Sequence, residues 1–292
     1  MSPKQTMILL GLLSVILILP QASAQTGDHT SSHPQQAADQ QVIDKILKAT
    51  AVYKDIDKAI AAGYRLVGPD FPGMGEHWVN VRRVVQRDLD ITNPAVLSYV
   101  RVGDSIELTG AAYTWPLQPG EEPPEFIQPG LWHAHSGSID EETLALNPKG
   151  ANHGGGDQPR LAMIHAWVWA ANPAGTFVQD NWALPFMRLG LPVPDAVPPQ
   201  AGKALFLLTG GVDYYLGLIE LAGSPKDNEL RQIREVLEES AGKVKEHRGT
   251  IGDVGYLPED ITVLENIWME LWSRIRQKTS PRTWEAIQEL AF

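Results

Sequence analysis

Four histidines fall close to aromatic residues in the middle of this chain: His77, His133, His135 and His165. Side chains on a strand alternate between two faces, so His133 and His135, two apart, point the same way if Leu131 to His135 is extended. In Met163-Ile164-His165-Ala166-Trp167-Val168-Trp169 the same alternation puts His165, Trp167 and Trp169 on one face. Ile164, Ala166 and Val168 then form an apolar face suited to a core. Two such strands side by side would gather three imidazoles, and His77 in Gly75-Glu76-His77-Trp78 could supply a fourth. Neutral imidazole is a good ligand for zinc, copper and iron, and three or four of them complete a site. Tryptophan neighbours would exclude water from it. The chain has no cysteine, so disulfides, thiolate metal sites and a lipid-anchored N-terminus are excluded. Any transition-metal site must be built from His, carboxylate, amide or Met. The metal ligands expected are His77, His133, His135 and His165. Glu76, Trp78, Asn80, Trp167 and Asn172 are expected to line or support the pocket. The bland alternative is a set of half-buried histidines that pack and hydrogen-bond.

Other candidates are weaker. Glu76 adjoins His77 and could be a ligand or proton acceptor, but on a strand it would face the other way. Asp140-Glu141-Glu142 reads as a solvated turn, and His153 lies in a Gly-rich loop. Gly154 to Gly156 lacks the Lys-Ser/Thr of a phosphate loop, and no G-x-S-x-G elbow is present. His29 and His33 sit in a polar leader. His247 ends a helical stretch, where a cation complements the dipole.

The elements that must position these residues follow from periodicity. Val42, Ile43, Ile46, Leu47, Val52, Tyr53, Ile56 and Ile60 recur at helical spacing, with Gly63 as the stop. Gly68 to Gly75 is a Gly/Pro loop. Ala95 to Arg101 and Ile106 to Tyr113 flank Gly103-Asp104-Ser105 as a hairpin. Residues 116–130 hold five prolines and read as a loop. Leu131 to His135 and Leu161 to Trp169 read as strands. Prolines in 185–202 suggest a domain boundary. Beyond it come an apolar stretch from Leu205 to Ala222, weakened at Gly210 and Gly211, and amphipathic helices over Asn228 to Glu246 and Pro258 to Gln277. Ser280-Pro281 caps a last short helix. The fold class expected is α+β: an N-terminal helix and an antiparallel β-sheet or barrel-like core, then an all-α C-terminal region. The expected divisions are a signal peptide (1–24), a flexible leader (25–40), a His-rich core domain (41–190) and a helical domain (203–292).

Two segments carry a resemblance. Met74-Gly75-Glu76-His77-Trp78-Val79-Asn80 resembles an M-G-x-H-aromatic-x-N segment. The stretch from His165 to Phe177 resembles H-x-W-x-W-x-x-N-P-x-G-x-F. Together with Gly63-Tyr64 and Pro94 to Tyr99 they are similar to a widespread family of uncharacterised exported bacterial proteins, over about residues 42–182. The resemblance implies that His77, Asn80, His165, Asn172, Pro173, Gly175 and Asn181 belong to a shared framework. It implies no reaction. A lesser similarity is to cupins, whose H-x-H, Glu and distant His match His133, His135, Glu141 and His165. Here the Glu comes later, and Gly130 lies closer, than the cupin pattern asks.

The N-terminus reads as an export signal: Lys4, the apolar run Met7 to Pro20, then Ala22-Ser23-Ala24 with cleavage expected before Gln25. The protein is therefore expected to be periplasmic or secreted. Removing residues 1–24 takes away one Lys and leaves 23 basic against 35 acidic residues, a net charge of -12. That disfavours nucleic acid and anionic membranes as partners. No integral membrane segment is expected after cleavage. The expectation is an exported protein with a mononuclear copper, zinc or iron site, for binding or for catalysis. The alternative is a non-enzymatic small-ligand-binding or structural domain. The helical tail offers a surface for a second copy of the chain.

Overall fold

The computed structural model describes residues 34–118, 120–134 and 160–291. The export signal, His29, His33, His135, Glu141 and His153 lie outside the described residues.

The chain begins as helix α1 (Pro34–Thr50), so helix starts inside the segment expected to be a flexible leader. The helix expected to run on to Gly63 is broken. The Thr50 hydroxyl donates to the Ile46 carbonyl at 2.7 Å, and a 3-10 turn (Ala51–Lys54) follows. Asp55 is extended, and its carboxylate accepts from the Asp57 amide at 3.0 Å, which starts α2 (Ile56–Ala61). A good capping residue thus restarts a helix where periodicity alone reads one continuous run. Gly63, at φ +94°, turns the chain into the sheet.

The sheet has six strands in the order β1-β2-β3-β4-β6-β5, all neighbours antiparallel. They are β1 (Arg65–Phe71), β2 (Gly75–Val79), β3 (Val96–Val102), β4 (Ser105–Leu117), β5 (His133–Ala134) and β6 (Arg160–Ala166). Short helix α3 (Val81–Gln86) follows β2. Among the described residues, β1 and β5 are the two edges, so these strands form an open sheet and not a closed barrel. The β3–β4 hairpin turns at Gly103-Asp104, as the sequence predicts, with Val102 opposite Ser105. β4 runs on through Pro116, into residues expected to be loop. Beyond Ala112 it pairs with β6 alone, which leaves its other edge open where a proline costs no ladder bond. β6 ends at Ala166, three residues short of the expected end.

One face of the sheet is covered by the N-terminal helical segment. Ile46, Tyr53 and Ile56 pack there with Leu97, Tyr99, Ala111 and Tyr113. The opposite face carries two smaller clusters, one around Phe71, Trp167 and Leu184, the other around Val96, Ala112 and Met163.

The C-terminal region is helical. It comprises α4 (Leu184–Arg188), α5 (Pro199–Phe206), α6 (Gly211–Gly223), α7 (Asp227–Arg248), α8 (Pro258–Lys278) and α9 (Pro281–Ile287). Its core gathers Phe206, Tyr215, Ile219, Ile233, Leu237, Leu264, Trp268 and Leu271. The apolar stretch around Gly210 bends by 109°, with Gly210 at φ +110°. Among the described residues, no single helix is long and apolar enough to cross a membrane. Helix α4 joins the two regions: Leu184 belongs to the sheet-face cluster and Phe186 to the helical core.

Candidate functional site

His77 lies at the middle of β2 and is 3% exposed; His165 lies near the end of β6 and is 2% exposed. Strands β3 and β4 separate them, about 14 Å of flat sheet. Their ring centroids are nonetheless 5.7 Å apart. The rings can meet only if the face is concave and the residues between them are small. Ser98 is opposite His77, Gly110 is opposite Ser98, and Ala112 is opposite His165.

β5 brings the third histidine. His133 pairs with Met163, two residues before His165 on the same face. Its ring centroid is 5.1 Å from that of His165. Both imidazole pairs are edge-to-face, at 73° and 82°. Of the four histidines expected to gather, the fold brings His77, His133 and His165 together, with His165 at the centre. His135, the fourth expected ligand, is outside the described residues. Among the described residues, no three His, Asp or Glu side chains are grouped so that they could hold a metal ion as they stand.

The walls are aromatic. Phe71 lies 5.3 Å from His77 and Trp167 lies 5.5 Å from His165, centroid to centroid. Tyr214 of α6 reaches Phe71 at 6.5 Å, so the helical region stands behind the site.

His165 is oriented by the loop that follows β6. Its Nδ1 is 2.7 Å from the Gln179 carbonyl oxygen. A carbonyl only accepts, so Nδ1 carries the proton and, in the neutral ring, Nε2 carries the lone pair. The loop that supplies this carbonyl braces itself. Trp167 Nε1 donates to the Val178 carbonyl at 2.7 Å. Asn172 Nδ2 donates to the Asp180 carbonyl at 3.0 Å, and its Oδ1 accepts from the Ala174 amide. Asn181 Nδ2 donates to the Ala171 carbonyl, and its Oδ1 accepts from the Ala183 amide. Gly175, at φ +131°, makes the turn. Asn172, Asn181 and Gly175 thus serve one loop, whose product is a fixed carbonyl beside His165.

Other expected site residues stand elsewhere. Glu76 and Trp78 alternate with His77 and face away from it. Glu76 accepts from Arg101 Nε at 2.6 Å and from Trp78 Nε1 at 3.1 Å. Trp78 packs on Tyr99 in the opposite core. Asn80 caps α3, accepting from the Arg83 amide, and donates to the Ala62 carbonyl. Asn172 is a loop brace and does not line the pocket. Trp169 leaves the face of His165 because the strand ends before it; its Nε1 donates to Thr50 Oγ1 at 2.9 Å, and Lys54 lies over its ring. Of the expected supports, Trp167 stacks edge-on against a histidine, His165.

Arg188 escaped the sequence reading. It is 6% exposed, and its guanidinium bonds the Asp70 carboxylate and the Phe71 and Pro72 carbonyls. It clamps the turn that places Phe71 on His77. Burial raises the Asp70 carboxyl above its usual range, against the lowering effect of Arg188. A lone Arg near the start of a Pro-rich stretch gives no sequence signal of burial. His247 sits in the last turn of α7, as expected, with Nε2 3.4 Å from Asp260 Oδ1.

No family model matches the chain, nor does any curated protein or solved structure.

Proposed function

We propose that this chain is an exported protein that binds one transition metal ion through His77, His133 and His165, with His135 as a further ligand. The observation that carries this reading is the placement of His165 between two other imidazoles, with Nδ1 tied to the Gln179 carbonyl. Metal-bound histidines characteristically donate their other ring nitrogen to a carbonyl or carboxylate, which sets the tautomer and aims the ligating atom. The spacing also suits the role. Three imidazoles on a tetrahedral ion at zinc–nitrogen distances have centroids about 5.2 Å apart. The two distances here are 5.1 and 5.7 Å. With His165 held by its Nδ1 bond, binding one ion requires the His77 and His133 rings to turn about their side-chain bonds toward His165 Nε2. Copper, zinc and iron all accept such a donor set. An open position on the ion would let it polarise a small ligand or activate water. The signal-like N-terminus and the sequence resemblance to exported bacterial proteins support a location for that metal in the cell envelope or outside it.

The test is elemental analysis of protein recovered after native export, in media supplemented separately with copper, zinc and iron. One equivalent of metal is expected. It should be lost in His165→Ala and in the His133→Ala/His135→Ala pair. Wild-type protein with no stoichiometric metal in any medium overturns the proposal. Metal retained in both variants refutes the ligand assignment.

A second reading rests on the edge-to-face geometry of the rings, which is also how packed aromatic side chains sit. On that reading the histidines and Trp167 are core residues of a non-enzymatic binding or structural domain. Loss of stability in His165→Ala, with no metal ever bound, would select it.

A further inference from the structure

The Pro-rich segment between α4 and α5 lies against the loop before α8 and leaves a cavity of about 460 Å³ between them. That is the size of an ordinary small-molecule site. Its floor and walls are apolar, formed by Pro192, Val193, Pro198, Tyr256, Leu257 and Ile261. The walls are stiff. Prolines fix their own backbone, and the two segments touch so closely that a Cβ on Gly255, at φ +87°, would meet Pro192 Cγ at 3.2 Å. Behind the cavity the Tyr256 ring is held edge-on against Phe186 at 5.4 Å. A preformed cavity of this kind loses little entropy when a ligand enters.

The lining also has a sign. Asp195 and Glu265 contribute carboxylates, and no Lys, Arg or His lines the cavity. Neither carboxylate takes part in an ion pair or side-chain hydrogen bond among the described residues. The α8 N-terminus opens nearby and would favour an anion, but its first turn already carries Glu259 and Asp260, and Asp260 caps the Leu257 amide at 2.9 Å. At the mouth, Val254 is 82% exposed and Leu257 44%. An apolar body with a positive head would cover these side chains and find carboxylates in the same lining.

We propose that this cavity binds a small organic cation, an ammonium compound with an apolar body. The site is separate from the histidine cluster and does not depend on any metal there.

The test uses three probes of one shape and different charge: phenethylammonium, 2-phenylethanol and 3-phenylpropionate. Each is titrated into the full chain while the methyl signals of Val254, Leu257 and Ile261 are followed by NMR. The expected result is saturable shifts at these methyls, with the ammonium bound about tenfold more tightly than the alcohol at low salt, and the carboxylate weakest. Asp195→Asn/Glu265→Gln should erase that preference while leaving the alcohol affinity unchanged. Thr262→Trp, an exposed substitution on the cavity wall, should block all three probes. No saturable shift with the ammonium overturns the proposal. So does an affinity for the ammonium no greater than for the alcohol or the carboxylate, or a preference that survives the double substitution.

Discussion

Gly75 illustrates how the residues around the site are constrained. It has φ +74°, and a Cβ there would meet the Tyr99 carbonyl oxygen at 2.3 Å. Gly75→Ala therefore forces β2 away from β3 just beside His77. A loss of about 2 kcal/mol or more is expected in chemical denaturation. A milder test addresses His165. Asn172→Asp keeps the acceptor for the Ala174 amide but removes the donor to the Asp180 carbonyl. It should cost about 1 kcal/mol. It should also loosen the Gln179 carbonyl, read as faster exchange of the His165 Nδ1 proton by NMR in metal-free protein. An unchanged Nδ1 signal would show that the loop does not orient the ring. Strand alternation, a local rule, made the four histidines candidates; it could not say which strands would lie side by side. The supports were less so: Asn80 and Asn172 look polar enough for a pocket, yet both spend their amides on backbone groups, which spacing cannot reveal.

At the scale of elements, Glu229 ties two helices together. Its carboxylate accepts from the Lys226 amide at 3.0 Å, at the start of α7, and from the Ser280 amide at 2.6 Å, at the start of α9. These backbone bonds hold its carboxyl below the ordinary range. An acid whose folded pKa is depressed contributes stability that is present above its unfolded pKa. That contribution is lost as pH falls through the folded value. Glu229→Gln should therefore destabilise the chain by about 1 kcal/mol at neutral pH, the scale of a helix cap. The wild-type advantage should shrink as pH drops below about 4.5. Denaturation midpoints of the pair from pH 7 to pH 3 would test this; a constant gap would refute it. The long amphipathic helices α7 and α8 were readable from periodicity, as was the β3–β4 hairpin. The break at Asp55 and the passage of β4 through Pro116 were not, since one depends on a cap and the other on which neighbour strand is missing.

For the whole molecule, a bound metal acts on stability by mass action. Metal at a hundredfold excess over its dissociation constant stabilises the folded state by about 2.7 kcal/mol. On the proposed reading, the preferred ion should raise the melting temperature by several degrees, and a chelator should reverse the gain. His165→Ala should remove the response. A shift of equal size in His165→Ala would mean that the ion acts elsewhere, for instance at the acidic surface.

Composition and periodicity alone determined the α+β class, the hairpin, the helical C-terminal region and the exclusion of cysteine chemistry. These follow from residue counts and from the fixed periods of helix and strand, which need no knowledge of neighbours. Tertiary structure decided the rest. It placed His77 beside His165 across two intervening strands, because small residues lie between them on a concave face. It took Trp169 off the face of His165 by ending β6 at Ala166, and it buried Arg188 behind the turn that carries Phe71. Such meetings depend on sheet curvature, on strand order and on where a strand ends, and none of these is written in the spacing of residues along the chain.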